Sequence, residues 1–348
     1  MTQRFFLGAN SQEGFASLYD GFPGEPGSFL HVIKGGPGTG KSSFMRKLGA
    51  EAEARGLDVQ YVLCSGDPDS LDGVYIPALH AAWVDGTAPH VREPACFGAE
   101  GDYISLGAFC TKPFSAEERE ILRLLSEQYK EHYRLAYASL SALGRLQAEL
   151  YLPLRGEERL AAQRQVSRIL DRFLPREAVQ KGRCIRRFYH ALSCQGELWL
   201  SAEIQKMSRQ FCRIEGSPRE AAGLLAFAAG EAVRRGAFSI CCPSPLSPDL
   251  LEAILLPEEG LVLAAGGWEI NAHLSMDENS FRSAEGRQAA WEMENRRKTL
   301  SAPLLGHALD ELRCAKALHD QLEQVYKPHM DFTALSAYTD ETIHALFP

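Results

Sequence analysis

The sequence predicts an α/β protein made of two similar repeats, each an open parallel sheet with helices on both faces. A glycine-rich turn joins an apolar strand to a helix near residue 35, and parts of the first 113 residues recur about 180 positions later. An amphipathic stretch that is predicted to form a helical hairpin follows each repeat. The predicted units are therefore residues 1–113, 114–182, 183–285 and 286–348.

The composition is that of an ordinary globular chain. With 348 residues, 45% of them hydrophobic and 24% charged, the chain is long enough for two domains of roughly 150–180 residues each. No apolar run approaches the ~18 residues of a membrane span, and the polar start predicts no signal peptide, so a membrane partner is not expected. Nine cysteines without a framework spacing predict free, mostly buried thiols and a cytoplasmic location.

The charge is unevenly distributed. The net charge of −8 disfavours general nucleic-acid binding. Residues 155–187 nevertheless hold ten Lys and Arg against four Asp and Glu, a local balance of +6. A basic helical face with acidic neighbours is one interpretation, and a surface that faces phosphate or a polynucleotide is the other.

One motif carries the chemistry. The apolar run Phe29–Ile33 predicts a buried parallel strand, and a helix is predicted from Lys41 to Arg55, closed by Gly56. Between them, GGPGTGKS fits G-x-x-x-x-G-K-[ST], the phosphate-binding loop (P-loop) of P-loop NTPases. Glycines let successive backbone N–H groups turn toward a phosphate, and the helix N-terminus favours the same anion. The predicted nucleotide-binding residues are Gly35, Gly36, Pro37, Gly38, Thr39, Gly40, Lys41, Ser42 and Ser43.

Each polar residue of the motif has an expected role. Lys41 would bring its charge to the β- and γ-phosphates of ATP, and Ser42 would offer its hydroxyl to Mg²⁺. Asp85 ends the apolar run 79–85 and is predicted to be the second metal-binding residue and a catalytic residue, the alternative being a cap on the turn before Gly86. Asp67, which follows the predicted strand 59–63, is a further catalytic candidate that could orient water or an acceptor.

An internal repeat is visible at a fixed offset of 180. From Glu51 to Gly86, nine of 36 positions are identical to those 180 residues later, whereas roughly two are expected from ordinary composition. IEGSP at 214–218 also matches IKGGP at 33–37, and the two helical tails end alike in Tyr151-Leu152-Pro153 and Tyr326-Lys327-Pro328.

The second repeat lacks the chemistry of the first. Ala221, Ala222 and Gly223 stand opposite Gly40, Lys41 and Ser42, and Ala265 stands opposite Asp85. A loop without a lysine, a hydroxyl group or an acid cannot hold Mg-ATP well. One nucleotide site, in the first repeat, is therefore expected. Because Asp69 has the counterpart Asp249 in this repeat, it is predicted to be a helix cap rather than a catalytic residue.

A helical insertion is predicted between the repeats. Ser115 and Glu118 form a capping box, which opens a long amphipathic helix, and a second helix is expected from about Glu157 to Phe173. Packing in the core explains the apolar positions of these helices. The arginines of the second helix could line a lid that closes on the nucleotide; they are Arg155, Arg159, Arg164, Arg168 and Arg172.

The strings KGGPGTGKSS, CSGDPDSLDGVYIP and DGTAPH also carry a resemblance. With them, the chain resembles, over nearly its full length, a little-characterised family of bacterial duplicated P-loop proteins, described as ATP-binding proteins, ATPases or nucleotide-kinase-like. The resemblance implies the P-loop fold and ATP binding, with no settled substrate. The second copy in that family often has a P-loop of its own, and this chain departs from the pattern there.

The predicted function is an Mg-ATP-binding protein that hydrolyses ATP at one site. The first alternative is a kinase, in which a small-molecule hydroxyl or phosphate takes the place of water. The second is an ATP-dependent switch that binds a protein or a nucleic acid through the basic helices. The sequence leaves base specificity open, and it does not decide between a homo-oligomer and a different protein partner.

Overall fold

The computed structural model describes residues 2–88 and 92–348, so the last two residues of the block DGTAPH lie outside the described part. Its first half holds one six-stranded sheet. The strands are β1 (Gln3–Phe6), β4 (Phe29–Lys34), β5 (Gln60–Leu63), β6 (Leu71–Ile76), β7 (Ala81–Asp85) and β8 (Gly101–Ser105), in the order β1-β5-β6-β7-β4-β8.

This sheet is mixed, whereas the sequence predicted a parallel one. Strand β6 runs antiparallel to both of its neighbours, β5 and β7. The reason is the length of the connections: only residues 64–70 and 77–80 separate β6 from the flanking strands, and a parallel crossover needs about a dozen residues or more. The other neighbouring pairs, including β4 with β7 and with β8, are parallel.

The second half holds a similar sheet. Its strands are β9 (Cys184–Arg186), β12 (Gln210–Glu215), β13 (Ser239–Pro243), β14 (Leu251–Leu256), β15 (Leu261–Ala265) and β16 (Leu274–Asp277). The order β9-β13-β14-β15-β12-β16 repeats that of the first sheet strand for strand, and β14 is the antiparallel member. The register agrees as well: Ile33 pairs with Asp85 in the first sheet, and Ile214 pairs with Ala265 in the second.

Each half also carries a two-stranded hairpin that reaches the other half. The first is β2 (Gly8–Ser11) with β3 (Gly14–Ser17), and the second is β10 (His190–Ser193) with β11 (Gly196–Trp199). The backbone N–H of Gln12 donates to the carbonyl of Leu246, and that of Cys194 donates to the carbonyl of Gly66. The two halves are therefore linked by reciprocal contacts.

The helices cover one face of each sheet. In the first half, α1 (Lys41–Ala54) and the C-terminal helix α7 (Phe332–Leu346) pack against the sheet, with Phe44, Leu48 and Leu335 in one buried cluster. In the second half, α3 (Gly156–Leu170) and α5 (Pro218–Arg234) do the same. The opposite faces of the two sheets contribute to one buried cluster, which also includes Ile204 of the short helix α4 (Ser201–Lys206). Long helices were predicted on both faces of each sheet, but in the described residues they cover only one face.

The predicted helical hairpins are also replaced by a different arrangement. Helix α2 (Ala116–Glu149), which begins at the predicted capping box, packs along α6 (Ala284–Tyr326) from the other half. The pair is antiparallel, since Glu118 contacts His329 and Ser139 contacts His307. In the predicted C-terminal hairpin, α6 is one helix that continues through Pro303, and α7 follows it but packs elsewhere.

The last helix of each half crosses over to the other. Helix α3 follows the first sheet but packs on α5 of the second half, and α7 follows the second sheet but packs on α1 of the first half. The side chains of Ala162 and Val166 are fully buried there. The basic residues 155–172 therefore lie over the second sheet, and their role as a lid over the nucleotide stays a prediction.

Candidate functional site

The glycine-rich loop 35–40 joins β4 to α1, as the sequence predicted. Gly38 and Gly40 have φ values of +68° and +89°, in the left-handed region that side-chain-bearing residues rarely adopt. Gly35 is required for another reason: a Cβ atom built on it would lie 2.5 Å from the Oγ1 atom of Thr39, which donates to the carbonyl of Gly36 at 2.8 Å. The loop is thus held in one shape from inside.

Lys41 and Asp85 come together at the mouth of this loop. The Nζ atom of Lys41 donates to the carbonyls of Gly35 and Gly36 at 2.7 and 2.8 Å, and it lies 3.6 Å from Oδ2 of Asp85. The other carboxylate oxygen of Asp85 accepts hydrogen bonds from the backbone and the hydroxyl of Thr87. Asp85 therefore caps a turn, as one prediction had it, and also faces Lys41.

The remaining predicted residues lie at different distances from this point. Ser42 is in the first turn of α1, and its Oγ atom accepts from the backbone N–H of Leu71 at 2.9 Å. Ser43 is exposed on the outer side of the helix. Asp67 accepts a hydrogen bond from Ser70 in the loop between β5 and β6. The end of this loop contacts α1 through the hydrogen bond between Leu71 and Ser42. Asp69, predicted to cap a helix, precedes the strand β6 instead.

The C-terminal helices cover the loop, a feature that the sequence analysis missed. A Cβ atom built on Gly36 would lie 3.3 Å from the ring of Tyr326, and one on Gly38 would lie 3.2 Å from the backbone of Glu323. A Cβ atom on Gly40 would lie 2.8 Å from the side chain of Leu335 in α7. The similar ending of the two helical tails drew attention to Tyr326 in the sequence, but it did not predict that this residue contacts the glycine-rich loop.

Charged residues of α6 also lie beside the candidate site. The Nζ atom of Lys316 lies 3.6 Å from Oδ2 of Asp67 and also pairs with Asp320 one turn later. Burial lowers the pKa of His319, with smaller contributions from the positive charges of Lys316 and Lys41. His319 is therefore a neutral imidazole near Lys41 at physiological pH.

The turn of the second hairpin, β10–β11, contacts the loop between β5 and β6. Gln195 donates from Nε2 to Oδ2 of Asp69 at 3.0 Å, and the neighbouring Cys194 contacts the loop at Gly66. Burial raises the pKa of the Cys194 thiol, and the charge of Asp67 adds to the increase. The candidate site is thus a composite of the first sheet, the hairpin β10–β11 and the helix α6.

The corresponding region of the second half has a different shape. Ser217 caps α5, which begins at Pro218, whereas α1 begins only at Lys41, four positions later in the matched motif. Residues 219–221, which stand opposite the loop residues 38–40, are therefore helical. Arg219 and Ala221 in place of two glycines favour this outcome, because a helix requires no positive φ.

The second half fills this position with its own side chains. Glu220 is buried and accepts hydrogen bonds from the hydroxyl of Tyr151 at 2.6 Å and from the backbone of Leu154 at 3.0 Å. Glu278, 1% exposed, accepts from the backbone N–H of Ser217 at 3.0 Å and pairs with Arg282. Burial raises the pKa of Glu278 to about 7. No open loop remains at this point of the second half.

Comparison with known proteins identifies no relative. No family model, no curated protein and no solved structure matches this chain. None of the described helices combines the length and the apolar character that a membrane span requires.

Metal-binding chemistry at the site rests on two oxygen donors. The described residues contain no group of three or more His, Cys, Asp or Glu side chains that could hold a metal ion. Ser42 and Asp85 do offer a hydroxyl and a carboxylate oxygen, and Mg²⁺ commonly uses one or two such protein ligands together with water and substrate phosphates. The residues therefore fit an ion that arrives with a nucleotide, and they do not fit a site that binds a metal by itself.

Proposed function

We propose that the chain is a P-loop NTPase that binds Mg-ATP at the glycine-rich loop 35–40 and hydrolyses it. The position of Lys41 carries the proposal. Its ammonium group is held at the mouth of a loop with two positive-φ glycines, between the loop carbonyls and the Asp85 carboxylate. Strand, loop, helix and neighbouring acid thus have the arrangement that phosphate binding requires.

The loop would bind the phosphates through its backbone. The glycines direct N–H groups inward, and the N-terminus of α1 adds the positive end of its dipole. Lys41 would exchange its hydrogen bonds to Gly35 and Gly36 for contacts with the β- and γ-phosphates. This exchange costs little, because the lysine gains a charged partner for each carbonyl that it gives up.

Mg²⁺ would be held by Ser42, Asp85 and the phosphates. When bound, the ion neutralises negative charge on the nucleotide. Asp67 lies further along the same edge and is suited to orient an attacking water, with Lys316 fixing its carboxylate. Thr87 fixes the Asp85 carboxylate in the same way through two hydrogen bonds.

We also infer that the second half is a degenerate copy that binds no nucleotide. The shared strand order and the matched pairing of Ile33 with Asp85 and Ile214 with Ala265 support an internal duplication. The helical start of α5 at Pro218 removes the cradle, and buried carboxylates take up the space behind it. Its remaining role is to supply the first site with α6 and the hairpin β10–β11.

A kinase is the second candidate, for one reason. Asp67 is partly buried and lies near Lys316, Asp320 and Cys194 from the second half. Polar groups of both signs could bind a small phosphoryl acceptor there, with Asp67 as the base. An ATP-dependent switch has no comparable support at this site. The exposed arginines of α3 are the surface through which such a switch would bind a polynucleotide.

The proposal is tested by ATP binding and phosphate release in two lysine variants. Lys41→Ala should abolish phosphate release and weaken ATP binding more than adenosine binding, because Lys41 would contact only the phosphates of the nucleotide. Lys47→Ala is the matched control: it removes a lysine from the same helix, whose Nζ contacts Ser336 on α7, and should change neither quantity. Undiminished turnover in Lys41→Ala would refute the proposal. ADP formation that requires an added acceptor, with the phosphoryl group transferred to that acceptor and no phosphate released, would establish the kinase instead.

A further inference from the structure

Two cysteines meet at the edge of the second sheet, away from the nucleotide site. Cys184 lies in the edge strand β9 and Cys241 in the neighbouring strand β13, where Ser239 pairs with Cys184 and Cys241 pairs with Arg186. Their Sγ atoms are 2.6 Å apart. All nine cysteines are free thiols in this structure, and none of the contacts assigned to the candidate site involves these two.

The two thiols differ in the way that an oxidisable pair requires. Cys184 is exposed, whereas Cys241 is 6% exposed and packs in the core beneath α5. The hydrogen bond with Cys241 lowers the pKa of Cys184, and Ser239 and Arg186 contribute to the decrease. The same contact and burial raise the pKa of Cys241. Cys184 is thus the more accessible and the more readily ionised thiol of the pair.

We propose that Cys184 and Cys241 are a redox modification site, which a peroxide oxidant converts into a reversible disulfide. The sulfur atoms need to move only about 0.6 Å closer to reach the ~2.05 Å of an S–S bond. The two strands are hydrogen-bonded neighbours, and the two cysteines lie at diagonal positions, two residues apart in the register. The sequence predicted free, mostly buried thiols, and Cys184 differs from this expectation because it is exposed.

The reaction balances with hydrogen peroxide as the oxidant. The Cys184 thiolate attacks one peroxide oxygen, the O–O bond breaks, and a sulfenic acid forms with loss of one water. The sulfur of Cys241 then attacks the sulfenic sulfur, the S–O bond breaks, and a second water leaves with the thiol proton. Two thiols are oxidised by two electrons and one peroxide is reduced. A thiol such as dithiothreitol reverses the process by exchange.

The disulfide would fasten β9, a strand of only three residues, to the sheet. The backbone pairing with β13 is supplemented by hydrogen bonds that include those from Ser239 N–H to the Arg183 carbonyl, from Gly182 N–H to the Val233 carbonyl and from Arg187 N–H to the Cys241 carbonyl. Oxidation should therefore raise the midpoint of thermal unfolding and slow proteolysis of residues 175–183. These effects concern the second half and do not depend on ATP binding.

Differential alkylation with mass spectrometry of the full chain is the test. After treatment with one equivalent of hydrogen peroxide, the wild-type chain should lose the mass of two hydrogen atoms and yield a cross-linked peptide that contains Cys184. Dithiothreitol should restore the starting mass. Gain of oxygen atoms at Cys184 without a cross-link, or a cross-link between two chains, would overturn the proposal.

Three serine variants separate the pair from its neighbour. Cys242→Ser is the matched control, since Cys242 is buried and follows Cys241 directly, but contacts the carbonyl of Ile240 instead of Cys184. Cys184→Ser and Cys241→Ser should abolish the cross-link, and Cys242→Ser should retain it. A cross-link that survives in Cys241→Ser and disappears in Cys242→Ser would refute the assignment.

The reduced wild-type chain provides a measurement that needs no variant. At neutral pH, iodoacetamide should modify Cys184 faster than Cys96 or Cys314. These two cysteines are also exposed, but neither takes part in the contact between Cys184 and Cys241. Equal rates at the three positions would show that Cys184 has an ordinary thiol and would count against the proposal.

Discussion

Gly38 of the glycine-rich loop lies directly against the backbone of Glu323 near the end of α6. A Cβ atom built on Gly38 would stand 3.2 Å from both the Cα and the carbonyl oxygen of Glu323. These residues belong to opposite halves of the chain. The loop that is expected to bind ATP in the first half is therefore shaped in part by the last long helix of the second half, and substitutions on either side should affect the same site.

Substitution of Gly38 by alanine should affect both stability and ATP binding. The new side chain would meet a positive φ of +68° and the Glu323 backbone, which cannot move without displacing α6. We expect a loss of unfolding free energy of about 1–3 kcal/mol and roughly tenfold weaker ATP binding. Urea unfolding and calorimetric titration measure the two quantities.

Gly56→Ala is the matched control for this variant. Gly56 has a similar φ of +75°, but no atom outside its own chain neighbours lies within 4 Å of its Cβ position. It should therefore show the backbone strain without the contact, and ATP affinity should stay unchanged. Equal losses of affinity in the two variants would show that the contact with α6 does not matter.

Lys316→Met should lower the rate of ATP turnover. The lysine pairs with Asp67 at 3.6 Å from the opposite half, and methionine keeps the length of the side chain while it removes the charge. Under the proposed function, Asp67 then loses its fixed orientation, and we expect kcat to fall by roughly tenfold with a smaller change in KM. Steady-state kinetics checks this.

Lys298→Met serves as the comparison, because Lys298 lies on the same helix with a side chain that is 68% exposed. It should leave both kinetic constants unchanged. If Lys316→Met behaves like Lys298→Met, Asp67 has no part in the reaction.

The full chain should bind one nucleotide. The first half offers the loop 35–40 and Lys41, whereas in the second half the helix α5 already begins at Pro218 and Glu220 is buried behind it. Calorimetric titration with ATP and Mg²⁺ should give one site per chain, and Lys41→Ala should remove it. A second site that persists in Lys41→Ala would show that the second half binds nucleotide after all.

The arginines of α3 should have no role in catalysis. Helix α3 packs on α5, and Arg159 pairs with Glu220 of the second half at 3.7 Å. Single alanine variants of Arg155, Arg159 and Arg164 should keep turnover within about twofold of the wild type, as is usual for exposed surface positions. A larger loss in any of them would restore the lid that the sequence suggested. Salt-dependent RNA or DNA binding that is lost in these variants would instead assign the arginines to a polynucleotide partner.

The stability of the chain should fall as the pH rises from neutral to about 9. His190 is almost completely buried, which disfavours its charged form, but the Glu252 and Glu197 carboxylates outweigh burial and raise its pKa to about 9. A pKa that is higher in the folded chain than its unfolded value of 6.5 adds stability below pH 6.5, which is lost as the pH rises through 9. The contribution is on the order of 3 kcal/mol.

Urea unfolding at a series of pH values measures this dependence. His190→Gln should flatten the curve between about pH 6.5 and pH 9, whereas His344→Gln, at an exposed position of α7, should not. A wild-type stability that stays constant over this interval would show that His190 is not charged in the folded chain.

The sequence by itself determined the local structure of the candidate site. The pattern from Phe29 to Gly56 predicted β4, the loop and α1 to within one or two residues, because an apolar run, a glycine-rich turn and a helix ending are properties of neighbouring residues. The capping box at Ser115 was predicted for the same reason, and both of its hydrogen bonds are present. The similarity of the two halves was also visible, since it is a comparison of the sequence with itself.

The tertiary structure showed the direction of β6 and the partners of the long helices. A strand such as Leu71–Ile76 fits either direction by its own residues, and its short connections to β5 and β7 make it antiparallel. An amphipathic helix shows that it has a buried face but not which face covers it, so α2, α3, α6 and α7 could not be assigned to a half. The walls of the site, from Lys316 to Tyr326, come from residues more than 200 positions away in the chain, and contacts at that separation leave no periodic signal in the sequence.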